Sequence, residues 1–312
     1  MKILVTPRSM TKPGLDAVAE LQPLRDAGYE LVSIAPGKLP GKDELLNVVG
    51  SVHGWIAGVE PIDADVLAAA GLLRVISRNG VGSESIDTDA AQRLGIEVRV
   101  ARGANSRGVA ELAFGLILSG LREIPAADRV LRGGGWERQL GREIADATVG
   151  IVGYGAIGRM LAQFCAALGA TVLTYDPFSS PEPGSAVEAV TLDELFSRAD
   201  VISLHTPPAA DGTALVTAGL LATVQRGSIL VNTARSALVD ADAVTAALND
   251  GRLSAYAVDA FDTEPPTLTS LLTHERTILT PHLGGYTDAS TRRATQLAVE
   301  NLLATIESSR NN

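Results

Sequence analysis

Short runs of Val, Ile and Leu recur along this chain with almost no polar alternation. They are KILVTP at 2–7, ELVSIAP at 30–36, GWIAG at 54–58, LRVISRNG at 73–80 and IEVRVAR at 96–102, then TVGIV at 148–152, ATVLTYD at 170–176, VISLHTP at 201–207, SILVNTAR at 228–235, AYAVDAF at 255–261 and TILTPH at 277–282. Continuous apolar runs of this length, bounded by turn residues, are the pattern of parallel strands covered on both faces. Helical spacing fills the gaps, at 41–50, 63–70, 110–121 and 160–168. Thr191 and Glu194 make a capping box before Leu195, and Asp240 is a good N-cap for a helix running to Asn249. From Thr287 to about Ser308 a last helix carries Ala294, Leu297, Ala298, Leu302 and Ile306 on one stripe, with no strand after it. Such a helix can fold back onto the first strand series and close a domain made of two chain segments. Strand and helix therefore alternate in two series, which predicts an α/β fold with two doubly wound parallel sheets. The polar, glycine-rich stretch 132–142 has no periodicity and reads as an exposed arm available to a partner subunit.

Composition narrows the class. At 312 residues, 46% of them hydrophobic and 20% charged, the chain has the balance of a globular protein, and it holds no apolar run of the length, about 20 residues, that a membrane helix needs. MKILVTPRSM turns polar after three apolar residues, so the start reads as a first strand and not as a secretory signal, and the expected location is cytoplasmic. The single cysteine, Cys165, sits on the apolar face of its helix and reads as a packed residue with no disulfide framework around it. A net charge of −10 argues against nucleic acid and anionic membranes as partners. An anionic substrate must then be held by particular arginines. With four histidines, one cysteine and no HExxH or CxxC spacing, no metal site is expected.

The most specific signal is GYGAIG at 153–158, between one apolar strand and one helix. In G-x-G-x-x-G, Gly153 turns the chain, Gly155 admits a pyrophosphate and Gly158 packs helix on strand, while Asp176 at the end of the next strand can accept hydrogen bonds from a ribose and repel a 2′-phosphate. The unit points to a dinucleotide, and to NAD over NADP. Later strand ends supply chemistry, because ligands of open α/β sheets bind outside those carboxyl ends. Arg235 ends SILVNTAR, Asp259 and Glu264 follow AYAVDAF, and His282 ends TILTPH. Hydride transfer to a carbonyl needs a proton donor, which His282 can be, with Glu264 on its other ring nitrogen favouring the imidazolium. It also needs a cation on the substrate, and the forked guanidinium of Arg235 can grip a carboxylate while polarising the adjacent carbonyl. Taken singly, each has a plainer reading that is favoured: Arg235 as a surface ion pair, Glu264 as a turn residue and His282 as a strand-end histidine. Their placement at consecutive strand ends downstream of a cofactor loop favours catalysis.

These residues resemble the D-isomer-specific 2-hydroxy acid dehydrogenases. The resemblance is carried by GYGAIG with Asp176, HTP at 205–207, NTAR ending at Arg235, VDAF before Glu264, PHLGG from Pro281, NGVG at 79–82 and GANSRGVAEL at 103–112, which together cover nearly the whole chain. VTPRS at 5–9 and GVEPI at 58–62 are most similar to the phosphoglycerate-dehydrogenase-like branch. The resemblance implies a flavodoxin-like substrate domain built from residues 1–101 and 286–312, with a Rossmann cofactor domain at 102–285 inserted into it. It implies Arg235, Glu264 and His282 as the catalytic triad. Cofactor contacts are implied at Val81, Gly153, Gly155, Ala156, Ile157, Gly158, Asp176, His205, Thr206, Thr233, Ala234, Asp259 and Gly284, several through backbone atoms. Loop amides at Gly58 and Val59 and at Gly80 and Gly82, with Arg78, would complete the site for a substrate carboxylate. The implied activity is a hydride exchange between NAD(H) and a small D-2-hydroxy acid or 2-keto acid, which 3-phosphoglycerate would exemplify, in a homodimer joined through the cofactor domain. Alternatives are an NADPH-dependent glyoxylate or hydroxypyruvate reductase, and a dinucleotide-sensing protein without turnover. Two departures stand out. Ser236 and Ala237 replace two glycines common after the triad arginine, and Glu60 stands in a loop where phosphoglycerate enzymes carry a basic residue, so it is expected to repel a phosphate. Without the regulatory extension many of those enzymes carry, feedback control by serine is not expected.

Overall fold

The computed structural model describes residues 1–310. The chain divides into two compact units. One holds residues 1–105 and the last segment from Asp288, and the other is Ser106–Thr287.

In the first unit, β1 (Lys2–Val5), β2 (Glu30–Val32), β3 (Gly54–Ala57), β4 (Val75–Arg78) and β5 (Glu97–Val100) form one parallel sheet in the order β2-β1-β3-β4-β5. This is the doubly wound order of the flavodoxin type. Side chains alternate across each strand, so the apolar runs are sorted onto two faces. Leu4, Trp55, Ala57 and Ile76 pack with Leu45, Val49, Val66 and Leu67 of the helices Lys42–Val49 and Ala64–Ala69. Ile3, Val5, Ile56 and Val75 pack on the other face with Ala298, Leu302 and Ile306 of the helix Asp288–Arg310. Burying each of these larger side chains stabilises the fold by about 1.5–3 kcal/mol, which is why the terminal helix adheres to a sheet formed nearly 200 residues earlier. Ala101 and Ala104 pack with Ala294, so this unit runs on to Asn105 before the next helix begins.

The second unit opens with the helix Ser106–Leu121 and carries β6 (Thr148–Val152), β7 (Thr171–Tyr175), β8 (Val187–Ala189), β9 (Val201–Leu204), β10 (Ser228–Asn232), β11 (Leu253–Val258) and β12 (Thr277–Leu279). All pairings are parallel, in the order β12-β11-β10-β9-β6-β7-β8. Counted from β6, this is the doubly wound order of dinucleotide folds with a further strand at the edge. One face packs Val149 and Ile151 against Ala113, Ile117, Leu161 and Cys165, and the other packs Val152, Ile202 and Leu230 against Leu195, Val244 and Leu248. Winding reverses between the neighbours β6 and β9, opening a crevice at their carboxyl ends.

Among the elements that carried no sequence signal are two that bury nothing. β8 is a three-residue edge strand with no buried side chain, and the helix Ile124–Arg132 buries none of its residues. Neither has the apolar periodicity by which a buried element announces itself. After Arg132 the chain makes a turn and then has no regular structure up to the short turn of helix Ile144–Asp146. Among the described residues no helix is long and apolar enough to cross a membrane.

Candidate active site

β6 hands over to Gly153, whose φ of 97° lies in the left-handed region. A Cβ here would also stand 2.4 Å from the carbonyl oxygen of His205, at the end of neighbouring β9. On Gly158 a Cβ would stand 2.0 Å from the carbonyl oxygen of Gly153, so its absence lets the helix Ala156–Ala167 lie against the strand before it. Gly155 is different: a Cβ there would meet nothing within 4 Å. Open space therefore lies before the first turn of a 12-residue helix, where unpaired N–H groups and the helix dipole favour an anion.

Asp176 follows β7. Its Oδ2 accepts from the Tyr154 amide at 2.7 Å and its Oδ1 from the Phe178 amide at 2.8 Å, which ties the acid to the glycine loop. Arg159 lies over the Tyr154 ring at 5.3 Å and donates to the Tyr154 carbonyl (3.0 Å) and to Ser179 Oγ (2.6 Å).

Each strand after the crevice ends in a polar group. Beyond β9, the His205 amide donates to the Val152 carbonyl at 2.7 Å, and its Nε2 pairs with Ser203 Oγ at 2.8 Å. Burial pushes this imidazole down to about 4, so near neutral pH it is uncharged. β10 ends in Asn232, a fully buried amide after three apolar positions. Its Oδ1 accepts from the Ala234 amide (3.1 Å) and its Nδ2 donates to the Arg235 carbonyl (2.8 Å), closing the turn that presents Arg235. The guanidinium of Arg235 donates from Nη1 to the Ala234 carbonyl at 2.8 Å. Within the same turn, Thr233 Oγ1 is buried with no hydrogen-bond partner among the described residues.

Asp259 follows β11 at 1% exposure, and its carboxylate faces the loop after β12. Oδ1 accepts from the Thr280 hydroxyl (2.6 Å) and the Leu283 amide (2.7 Å), and Oδ2 accepts from the Gly284 amide (2.8 Å). What Asp259 holds in this structure is thus the loop that carries His282, and the Gly284 amide is committed to it. His282 adopts φ 53°, and its Nδ1 lies 2.5 Å from Glu264 Oε1, with about half of each side chain exposed. With Nδ1 engaged, Nε2 is the nitrogen left to carry a proton to a ligand. Arg235, Glu264 and His282 all follow strands of one sheet edge, β10, β11 and β12. Thr206, Ala156 and Ile157 are at least partly exposed at the ends of β9 and of the glycine loop.

The remaining expected residues belong to the first unit. Gly58 departs from expectation: its amide donates to Glu60 Oε1 at 2.9 Å and reaches Thr6 Oγ1 at 3.3 Å, so it is taken up inside the protein. Glu60, expected to repel a phosphate, turns inward and is 1% exposed. Val59 and Val81 are exposed. Arg78 donates from Nη1 to the Asn79 carbonyl at 2.6 Å, and burial holds its guanidinium below the ordinary value while the nearby Glu60 and Glu84 oppose that. A Cβ on Gly80 would stand 2.6 Å from Arg78 Nη1, and one on Gly82 would stand 2.2 Å from Glu84 Oε2. Asn232 and Thr6 are the supporting residues that sequence reasoning missed. The available signal was a polar residue ending or following a fully apolar run.

A dinucleotide fits this unit. It finds open space at Gly155, unpaired amides at the start of the following helix, an acid at Asp176 and a buried, unpartnered hydroxyl at Thr233. Residues 114–284 match the model of the D-isomer specific 2-hydroxyacid dehydrogenase family, NAD binding domain. Over 265 residues the chain is 40% identical to a D-3-phosphoglycerate dehydrogenase of Mycobacterium bovis, an alignment covering 83% of this chain and 50% of that one. It is 36% identical over 258 residues to a hydroxypyruvate reductase of Thermotoga maritima, covering 81% of this chain and 84% of that one. The fold superposes on the NAD+-bound 3-phosphoglycerate dehydrogenase of Entamoeba histolytica with a TM-score of 0.82 at 27% identity, over 99% of this chain and 96% of that one. The chain spans about half the length of the mycobacterial relatives it matches.

Proposed function

The chain belongs to the D-isomer specific 2-hydroxyacid dehydrogenase family, and on that premise we propose that it reduces a small 2-keto acid to the D-2-hydroxy acid, reversibly, with NADH. The observation that carries this reading is the pairing of Glu264 with His282 Nδ1 at 2.5 Å, on the same sheet edge as Arg235 and beyond the glycine loop.

Bound NADH would supply the hydride. The amides of Ala156 and Ile157 at the start of the helix would hold its pyrophosphate, and Asp176 its adenosine ribose. Thr206, Thr233 and Ala234 line the same strand ends, His205 supports Gly153 from beneath, and Asp259 acts through the loop that it fixes at Leu283 and Gly284. Arg235 grips the substrate carboxylate and polarises the neighbouring carbonyl. His282 donates its Nε2 proton to the oxygen as negative charge develops there, and Glu264 stabilises the imidazolium before transfer and orients the ring throughout. In the oxidation direction the neutral imidazole accepts that proton.

Asp176 favours NADH, because a 2′-phosphate would meet a carboxylate already anchored to the Tyr154 amide. Initial rates with NADH and with NADPH across a panel of 2-keto acids test the reading: turnover should favour NADH. Binding of NADH without oxidation by any acid would instead make this a dinucleotide-binding protein without turnover.

We further propose a homodimer joined through the second unit. Trp136 (80% exposed) and Leu140 (99%) stand on the irregular stretch after Arg132, next to a helix that exposes Ile124 and Leu131. Apolar groups gathered in this way mark an interaction surface. A reducing compartment suits a chain whose one cysteine, Cys165, is buried with its thiol pushed up to about 12 by desolvation, and the cytosol is the proposed location.

A further inference from the structure

Between Phe261 and Leu268, the stretch that carries Glu264, the chain has neither helix nor strand and makes no backbone-to-backbone hydrogen bond among the described residues. Nothing in its backbone therefore fixes where the Glu264 carboxylate stands, and the freedom of such a stretch must be overcome by other contacts. Its side chains make two hydrogen bonds among the described residues. Glu264 Oε1 meets His282 Nδ1 at 2.5 Å, and Asp262 Oδ1 accepts from the Ser236 hydroxyl at 2.5 Å. The first belongs to the chemistry. The second ties the stretch to a different strand end.

Ser236 follows Arg235 directly, and the turn it stands in is well fixed. The Arg235 carbonyl accepts from Asn232 Nδ2 at 2.8 Å and from the Leu238 amide at 3.2 Å, and the Ser236 carbonyl accepts from the Val239 amide at 3.1 Å. This turn follows β10 and Asp262 follows β11, neighbouring strands paired in register up to Asn232 and Val258. The Ser236 hydroxyl thus joins a fixed turn to an unfixed stretch. Its length is that of a charge-assisted O–H···O⁻ bond, and a serine side chain gives up little rotamer freedom to make it. A glycine, common at this place in the family that the sequence resembles, has no atom with which to do so.

We propose that Ser236 is a positioning residue that latches the Glu264 stretch to the Arg235 turn. With Asp262 held, the Glu264 carboxylate stays within reach of His282, so the support of the proton donor and the cation for the substrate are set by one bond between adjacent strand ends. This rests on the reading of the chain as a 2-keto acid reductase. Ser236 acts through Glu264: its hydroxyl proton is committed to Asp262, and it brings no charge to the reaction. Without the hydroxyl, Glu264 leaves His282 for part of the time and the rate falls with the fraction of correctly placed pairs, while cofactor binding at the glycine loop is untouched.

The test measures NADH oxidation with glyoxylate, pyruvate and hydroxypyruvate, taking the fastest of them, for the wild type, Ser236→Ala, Ser236→Thr and Asp262→Ala, each also combined with Glu264→Ala. Ser236→Ala should lower kcat by about fivefold while NADH affinity and thermal midpoint stay nearly unchanged. Asp262→Ala breaks the same bond from its other side and should lower kcat to the same extent, which gives the result where a Ser236→Ala protein does not fold. Ser236→Thr keeps a hydroxyl and should recover the rate. In the Glu264→Ala background the latch has no carboxylate left to place, and neither Ser236→Ala nor Asp262→Ala should lower kcat further. A residue that merely supports the fold would lower the rate by the same factor in both backgrounds, so an equal loss with Glu264→Ala overturns the proposal. Full wild-type kcat in both Ser236→Ala and Asp262→Ala overturns it as well, and leaves the reductase reading standing. A wild type that binds NADH but turns over none of the three acids removes the functional reading and this proposal with it.

Discussion

His282 is the residue on which the chemistry depends, and it sits in a backbone conformation, φ 53°, that side chains other than glycine adopt at a cost. What imposes that conformation is Asp259, whose buried carboxylate takes two amides and one hydroxyl from the loop on either side of it. Asp259→Ala should destabilise the protein by about 3 kcal/mol and lower kcat together with it, because three donors lose a charged acceptor. Urea unfolding and turnover measured on the same preparation check this, and a variant with unchanged stability would contradict it. His205 makes a prediction in pH. Its folded-state pKa is lowered from 6.5 to about 4, so between those values the unfolded chain binds a proton that the folded chain refuses. Stability is therefore fully present above about pH 6.5 and falls as pH is lowered through that window, by up to about 3 kcal/mol for this one group. Unfolding of the cofactor-free protein at pH 7 and near pH 4.5 should show the loss in the wild type and a smaller one in His205→Gln.

Much of the site's chemistry could be read at this scale, since a cation, two carboxylates and an imidazole at successive strand ends are visible as letters. Its supports could not be. Thr6 and Glu60 meet across 54 positions of sequence and Asp259 meets Gly284 across 25, and nothing local marks such pairs. Gly58 shows the cost of that blindness: the glycine was legible, but the commitment of its amide to Glu60 was not.

Among the elements, the β6–loop–helix unit separates folding from binding within six residues. Gly158→Ala places a methyl 2.0 Å from a carbonyl oxygen and Gly153→Ala one at 2.4 Å, so both should unfold the unit or strongly destabilise it. Gly155→Ala meets no protein atom within 4 Å and keeps an allowed backbone, φ −79° and ψ −159°. It should leave the thermal midpoint nearly unchanged while weakening NADH binding by about tenfold or more, because the methyl occupies the space a pyrophosphate needs. Thermal unfolding and a fluorescence titration with NADH separate the two classes, and tight binding by Gly155→Ala would contradict the assignment. The strands that form the two cores were legible because they are buried on both faces and lack alternation. The edge strand Val187–Ala189 and the helix Ile124–Arg132 were not, since elements that bury nothing need no apolar pattern.

At the scale of the whole molecule, two parallel sheets of five and seven strands are each wound on both faces, and the chain's last helix returns to the sheet built from its first hundred residues. That return was foreshadowed by an amphipathic helix with no strand after it. The surface that exposes Trp136 and Leu140 predicts that Trp136→Ser combined with Leu140→Ser converts a dimer to a monomer in light scattering, with the fold intact by circular dichroism. A wild-type monomer would remove the assembly while leaving the chemistry untouched.

The central claim is that this chain transfers a hydride to a 2-keto acid with His282 as the proton donor. NADH oxidation by the wild type and by His282→Ala, with the NADH affinity of each measured in parallel, tests it most directly. The expected result is turnover in the wild type and a loss of about a hundredfold or more in the variant, with NADH binding preserved. Full turnover by His282→Ala would contradict it.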